Sequence, residues 1–495
     1  MTGRCRVRTA TIVGVEAVPV DVEIDVGSGL PSFAIVGLPD TAVQEARERV
    51  RSAIRAAGYR LPNSRILVNL APGPLRKHGT GFDLPIAIGL LIATEQLPSA
   101  LMDGAMAVGE VSLDGSVRPV AGLLAHATTA AASGYVLLAA ASAGAGAAAC
   151  GTRFSGLKHL SQLTEGLPPP SAPTPSPSAP VSHASDFCEV VGQESTVRAL
   201  VAAAAGGHNV LMIGPPGSGK TMLARRLPSI LSPLTREERR ETALIHSVAG
   251  IDEGPALAGI RPFRAPHHTA SAAGLVGGGS PARPGEASLA HNGVLFLDEM
   301  PEFGPASLQC LRQPMEDHHI TLVRADGRVR FPSRFTLIGA SNPCPCGHLG
   351  DTARRCECTP SAISRYRSRI GGPLLDRIDI VCEVRRPRAG CMLSGTRGSR
   401  SATLAAQVID AVDRARRAGR PPSGTLSGIE LLHACAMSER TLSDLERMAA
   451  ALHLSGRGIT RLLRVARTVA DLEGAAVVRG DDLAEAVGYR CGALQ

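Results

Sequence analysis

Residues 214–221 read GPPGSGKT, which fits the spacing G-x-x-x-x-G-K-[ST]. Glycines at those intervals let successive backbone N–H groups converge on phosphate oxygens, and a helix opening at the end of the run adds partial positive charge. The run consists of Gly214, Pro215, Pro216, Gly217, Ser218, Gly219, Lys220 and Thr221, with Met222 next along the helix. Lys220 is expected to reach the β- and γ-phosphates of a nucleoside triphosphate, and the Thr221 hydroxyl to ligate magnesium. Further on, VLFLDE ends in Asp298 and Glu299. Two acids closing an apolar strand lie at the carboxyl edge of a sheet, facing the phosphates. Asp298 is expected to hold magnesium through water, and Glu299 to orient and polarise the attacking water. ATP hydrolysis on Mg2+ is the chemistry these two motifs predict together.

Three polar residues extend this set. Asn342 ends the stretch FTLIGASN, where an amide lies between two nucleotide-facing strands and helps hold water, or merely forms a turn before Pro343. Arg377, in PLLDRID, either reaches the γ-phosphate of a neighbouring subunit in a ring or pairs locally with Asp376 or Asp379. Arg457, in SGRGITR, opens a helix from which it contacts the nucleotide of its own chain, with Arg461 as its competitor.

Two further groups point beyond the nucleotide. Cys344, Cys346, Cys356 and Cys358 form CPC–x9–CEC on one short segment, with His348 between them. Four thiols so placed suit a tetrahedral structural Zn2+, although C-x-C is tighter than the usual C-x2-C; four free thiols are the alternative. ITLVRADGRVRF, residues 320–331, reads as a hairpin with an Asp-Gly turn, flanked by Arg324, Arg328 and Arg330. Such a hairpin either grips the phosphates of DNA or is a solvated edge.

These residues need a framework. GHNVLMIG, GVLFLDEM and FTLIGASN read as buried strands, KTMLARRLPSIL as a helix, and the alternation predicts a parallel sheet. From about Cys391 onward the pattern is helical and amphipathic, as in SATLAAQVIDAVDRARRA and RGITRLLRVARTVADLEG, which predicts a small lid. Residues 166–186 are rich in Pro, Ser and Ala and cannot bury enough surface to fold, so they read as a solvated linker. Before it, VEAVPVDVEIDV alternates with period two, Val43, Ala46, Val50 and Ile54 recur at helical spacing, and RILVNLAP, LPIAIGLLIA and YVLLAA read as strand, buried helix and strand. The fold class is α/β, divided into 1–165, the linker 166–186, an ATPase core 187–388 and a helical lid 389–495.

Composition sets outer limits. The 495 residues are 44% hydrophobic and 19% charged, enough to bury several cores. The net charge of +8 is almost all arginine and is compatible with nucleic acid without requiring it. The first residues show no export signal and no segment reads as a membrane span, so a cytoplasmic protein is expected, and its twelve cysteines are thiols or metal ligands rather than disulfides.

With these residues in hand, the chain resembles the ComM/YifB-type Mg-chelatase-like AAA+ ATPases along nearly its whole length. The resemblance rests on SFAIVGLPDTAVQEARERVRSAI, RILVNLAPGPLRKHGTGFDLPIA, AAGGHNVLMIGPPGSGKTMLARRLPSIL, RPFRAPHHTAS, GGGSPARPGEASLAHNGVLFLDEMPEF, NPCPCG and GPLLDRIDI. It implies a Lon-protease-like N-terminal α/β domain, a P-loop AAA+ core with a hairpin before the sensor strand, and a Mg-chelatase-type helical lid. It also implies a homo-hexameric motor promoting branch migration of DNA, with Arg377 as arginine finger, Asn342 as first sensor and Arg457 as second. A Lon-type peptidase is disfavoured: Gly81 stands where the serine nucleophile would fall, and no lysine lies between Lys77 and Lys158. A magnesium-chelatase motor subunit and an ATP-driven protein remodeller are the remaining alternatives. The hairpin offers arginines rather than an exposed aromatic, and the chain is only 3% aromatic, so DNA would be held through its phosphates.

Overall fold

The alternation of apolar residues in the first 27 positions makes two long strands, β1 (Gly3–Val13) and β2 (Glu16–Gly27), paired antiparallel from Gly3↔Val26 to Val13↔Glu16. With β3 (Ser32–Val36) and β4 (Arg65–Ala71) they form a mixed sheet of order β1-β2-β4-β3. Val20, Val22, Ile24 and Val26 face the core under two helices, α1 (Thr41–Ala56) and α2 (Asp83–Ala93). Asp40 caps α1 by accepting from the Val43 amide at 2.9 Å, a contact that stabilises a helix by about 1 kcal/mol. Every residue of α2 is buried, which is why its sequence shows no amphipathic period. A second, parallel sheet joins β5 (Ala105–Ala107) to two later strands. Before those come β6 (Glu110–Val111) and β7 (Val117–Arg118), paired antiparallel around Asp114-Gly115, and then α3 (Leu123–Ala132). The sheet is completed by β8 (Val136–Ala140) and β9 (Phe154–Leu157), in the order β5-β8-β9.

This architecture is that of a computed structural model, which describes residues 3–171, 185–324, 327–351, 354–387, 390 and 397–491. Most of the expected linker (172–184), Asp326 of the hairpin turn, Cys391 and the expected core–lid boundary at 388/389 lie outside the described residues.

After the linker, α4 (Glu194–Gly206) leads into β10 (Val210–Ile213), the loop 214–219 and α5 (Lys220–Arg226). The sheet continues through β11 (Phe263–Arg264) and β12 (Val294–Leu297). The hairpin of β13 (His319–Arg324) and β14 (Gly327–Pro332) precedes β15 (Thr336–Ser341) and β16 (Ile380–Glu383). All five strands run parallel in the order β11-β12-β15-β10-β16. Both faces are covered, and the side chains divide by parity. Val210, Met212, Val294, Phe296, Ile338 and Ile380 enter one core. Leu211, Leu295, Leu297, Leu337 and Val381 enter the other. That is why β10 and β12 read as unbroken apolar runs.

The C-terminal helices are α6's successors in the chain: α6 (Arg236–Ala249) belongs to the core, then α7 (Pro360–Ser368), α8 (Ser401–Arg417), α9 (Gly428–Cys435), α10 (Glu439–Ala451), α11 (Gly456–Leu472) and α12 (Gly480–Cys491). Leu404, Val408, Leu462 and Val469 of this helical region share one hydrophobic cluster with Val210, Met212 and Ile338 of the sheet. The lid therefore packs directly onto the sheet face. Among the described residues no helix is long and apolar enough to cross a membrane.

The N-terminal part rests on the core through α3 and α6. Gly122 donates its amide to the Ser247 carbonyl at 2.7 Å, and Leu124 packs with Leu234, Ala243 and Ala256. At Gly81 an added Cβ would lie 3.0 Å from Val108 Cγ2, and Lys77, fully buried, donates its ammonium to the Pro72 carbonyl.

Candidate active site

The loop 214–219 leaves β10 at the carboxyl edge of the parallel sheet and returns as α5. Its first residue has no room for a side chain: a Cβ on Gly214 would lie 2.2 Å from the Val384 carbonyl oxygen. The loop is held from outside by Gln193, a buried residue whose Nε2 donates to the Ser218 carbonyl at 2.6 Å and to Arg385 at 3.3 Å. Nothing in a motif marks Gln193; only its position just ahead of α4 places it there.

Lys220 Nζ donates to Gly214 O at 2.7 Å, Pro215 O at 3.0 Å and Asn342 Oδ1 at 3.1 Å. All three acceptors are uncharged. Burial lowers the pKa of this ammonium, and the charges of Asp298 and Glu299 oppose that shift. A half-buried cation ringed by neutral oxygens suits an incoming polyanion, so the residues fit a triphosphate. Thr221 Oγ1 donates to Asp298 Oδ2 at 2.7 Å, which sets a hydroxyl and a carboxylate side by side as oxygen donors for Mg2+.

Glu299 follows Asp298 with φ +49°, a left-handed backbone at a residue with a full side chain. Such a conformation costs about 1 kcal/mol or more and persists where the surroundings enforce it. It carries the Glu299 carboxylate to 3.7 Å from His268 Nδ1. His268 lies in RPFRAPHHTAS, a stretch whose histidines carried no assigned role in the sequence. Two side-chain bonds, Lys220–Asn342 and Thr221–Asp298, thus start from neighbouring residues of α5, with Glu299 next to Asp298. Met222 is partly buried, packed against the core on one side and against Gly219 of the loop on the other, where a Cβ would lie 3.3 Å from its Cε.

Arg377 and Arg457 lie elsewhere. The Arg377 guanidinium pairs with Glu316 and donates to the Pro373 carbonyl. Its local carboxylates are engaged by others: Asp376 lies 3.4 Å from Arg461 and 3.8 Å from Arg457, and Asp379 lies 3.5 Å from His208. The alternative to a finger, a local pairing of Arg377 with Asp376 or Asp379, is therefore replaced by one with Glu316, 61 positions earlier. Arg461 is buried on the Leu375 and Ile378 carbonyls, whereas Arg457 is 74% exposed at the side chain and sits beside the Arg377 loop. Neither Arg377 nor Arg457 bonds to residues 214–221 among the described residues.

The four cysteines converge. Their Sγ atoms all lie within 4.8 Å of one another, with Cys344–Cys346 at 3.4 Å and both 3.7 Å from Cys356. A backbone hydrogen bond from His348 holds the Cys346 thiol down at about 6. The hairpin arginines do not act as one face. Thr321 pairs with Arg330 and Val323 with Arg328, so Arg328 and Arg330 project from one face and Arg324 from the other. All three are exposed, and Arg330 donates to His319 Nδ1 at 2.9 Å. The opposite face meets the β1–β2 turn: a Cβ on Gly14 would lie 3.2 Å from Val329 Cγ1.

Comparison with known proteins agrees with this geometry. A profile described as magnesium chelatase, subunit ChlI, matches residues 186–392, one for subunit ChlI of Mg-chelatase matches 22–142, and one for the ChlI C-terminal part matches 398–490. The YifB protein of Salmonella typhimurium is 42% identical over 489 residues, 98% of this chain and 96% of its own. The competence protein ComM of Haemophilus influenzae is 40% identical over 489 residues, 97% and 96% of the two chains. The magnesium-chelatase 38 kDa subunit of Cereibacter sphaeroides is 26% identical over 220 residues, 41% of this chain and 59% of its own. Near-complete coverage by two such relatives, together with a glycine-rich loop whose Thr221 bonds to Asp298 at the end of a parallel strand, places the chain in the ComM/YifB family of Mg-chelatase-like AAA+ ATPases.

Proposed function

We propose that this protein is a cytoplasmic, ring-forming motor that couples ATP hydrolysis on Mg2+ to the remodelling of DNA, by branch migration of recombining strands. The observation that carries the ATPase part is the Thr221–Asp298 bond of 2.7 Å beside the Lys220–Asn342 bond of 3.1 Å. In this reading Thr221 and Asp298 hold the metal ion, Lys220 binds the phosphates, Glu299 positions water and Asn342 reports on the γ-phosphate. Mg2+, when bound, neutralises charge developing on the phosphate oxygens. Arg377, paired with Glu316 and away from the loop, serves the nucleotide of a neighbouring subunit in a homo-hexamer, and Arg457, beside Asp376, serves the nucleotide of its own chain. The four cysteines hold a structural Zn2+.

The DNA part is supported by the outward pair Arg328 and Arg330 and by the name of the Haemophilus influenzae relative, a competence protein. Similarity to a magnesium-chelatase subunit favours a second reading, a magnesium-chelatase-type motor subunit. The ATPase rate with no DNA, single strands, duplex and a four-way junction, at two salt concentrations, separates the two. Stimulation by branched or single-stranded DNA that fades with salt supports the DNA motor. A rate indifferent to all DNA overturns it in favour of the second reading.

A further inference from the structure

The cysteine loop begins two residues after Asn342, and it touches the phosphate loop twice. Gly347, between Cys346 and His348, has φ +82° and lies against the Pro216 ring; a Cβ there would stand 2.7 Å from Pro216 Cδ and 4.0 Å from Asn342 Cγ. On the other side, Arg386 donates to the Pro216 carbonyl at 3.2 Å. That guanidinium lies 3.7 Å from Asp351, whose carboxylate is 3.2 Å from His348 Nδ1. Pro216 is thus contacted at its ring by the cysteine loop and at its carbonyl by an arginine that the same loop holds.

The cluster is built for a tetrahedral ion. A Zn–S bond of about 2.3 Å implies sulfur–sulfur edges of about 3.8 Å. The measured edges of 3.4–3.7 Å, and the span of 4.8 Å for all four, are close to that shape. Two backbone amides also point at the sulfurs: Cys346 N to Cys358 Sγ and Leu349 N to Cys344 Sγ, each at 3.4 Å. Amides on ligand sulfurs are the second layer that a thiolate metal site requires.

We infer that metal occupancy of this cluster sets the affinity of the phosphate loop for nucleotide, with Gly347 and the Asp351–Arg386 pair as the two arms that transmit it to Pro216. The inference rests on reading residues 214–221 as the ATP site and the cysteines as a zinc site. Without the metal, the four sulfurs are held only by weak thiol contacts and two amides, and both arms lose their strongest anchor.

The test uses the full-length, reduced protein. Zinc content is measured by mass spectrometry, the metal is then stripped with a chelator, and binding of a fluorescent ATP analogue is titrated beside far-ultraviolet circular dichroism. The expected result is one zinc per chain and, after stripping with the fold retained, about tenfold weaker nucleotide binding, the size of one lost hydrogen bond. Affinity should return with Zn2+ and not with Mg2+. Unchanged affinity in stripped, folded protein overturns the coupling while leaving the ATP site standing. Absence of zinc from reduced protein overturns the metal reading, and absence of nucleotide binding by the zinc-loaded protein overturns the ATP-site reading. Should stripping unfold the chain, Arg386→Ala decides: zinc content unchanged with weaker nucleotide binding supports the inference, and unchanged binding overturns it.

Discussion

The ammonium of Lys220 bonds to Asn342 Oδ1 at 3.1 Å, which ties the start of α5 to the end of β15 across the carboxyl edge of the sheet. In the proposed ATP site the bond joins the residue that binds phosphate to the residue that senses it. Phosphates drawing Lys220 away from its neutral acceptors would free the Asn342 carbonyl oxygen to accept from water. Lys220→Ala is expected to abolish tight ATP binding, and Asn342→Ala to retain binding while lowering kcat. Equilibrium binding and steady-state rates measured on the same preparations check this pair.

Thr221→Ala removes the hydroxyl, and Asp298→Asn the negative charge, of two adjoining groups. Each is expected to lower Mg2+-dependent turnover by about 10²-fold or more, the cost of losing electrostatic stabilisation aimed at developing charge. A titration of rate against Mg2+ concentration should show a raised metal requirement in both variants. Wild-type dependence on Mg2+ would remove these residues from the metal site.

Glu299→Gln keeps the shape of the side chain and removes its basicity. Binding of ATP should persist, and turnover should fall by about 10²–10⁴-fold. His268 lies 3.7 Å from the carboxylate, so His268→Ala should lower kcat by loosening the Glu299 side chain, without changing ATP affinity. An unchanged kcat would limit His268 to packing against His267, whose ring centroid is 4.1 Å away.

Arg377 is paired with Glu316 in the single chain, and its Nε is buried without a partner. A finger acting on a neighbouring nucleotide must leave that pair on assembly. Arg377→Ala is therefore expected to cost about 10³-fold in kcat while sparing ATP binding. Glu316→Ala should leave turnover intact. If Arg377→Ala turns over normally, the guanidinium serves only its ion pair.

On the hairpin, Arg328→Glu with Arg330→Glu should weaken DNA binding and reduce the salt slope by about one for each lost phosphate contact. Arg324→Glu, on the opposite face, should do less. Equal effects at all three positions would mean that the two faces do not differ in their contact with DNA.

Three strands of the core, β10, β12 and β15, were legible because both of their faces are buried, which leaves apolar runs such as VLFL, whereas β11, two residues long, and the edge strand β16 were not read. The phosphate loop was legible because its chemistry requires particular residues at fixed intervals. What escaped was set by distance or by weak pattern. β1 hides its period behind Arg4, Arg6 and Arg8, which alternate with Cys5, Val7 and Thr9. β3 is short and has no fully buried side chain, so its alternation carries little apolar signal. Helix α9, only eight residues long, buries just Leu431 and Cys435. The partner of Arg377, the clamp of Gln193 on Ser218 and the contact of Gly347 with Pro216 join segments far apart in the chain. Local patterning carries no information about such pairs.

The contact between Val329 and Gly14 makes strand length a matter of odd and even numbers. Positions 328 and 330 look out to solvent, while Val329 and Phe331 turn toward the body of the molecule. Adding or removing one residue in β14 would exchange the two sets, driving two guanidiniums against the β1–β2 turn and placing a valine in water. Adding or removing two residues would preserve the assignment. Parity, as much as charge, thus constrains how this hairpin can vary.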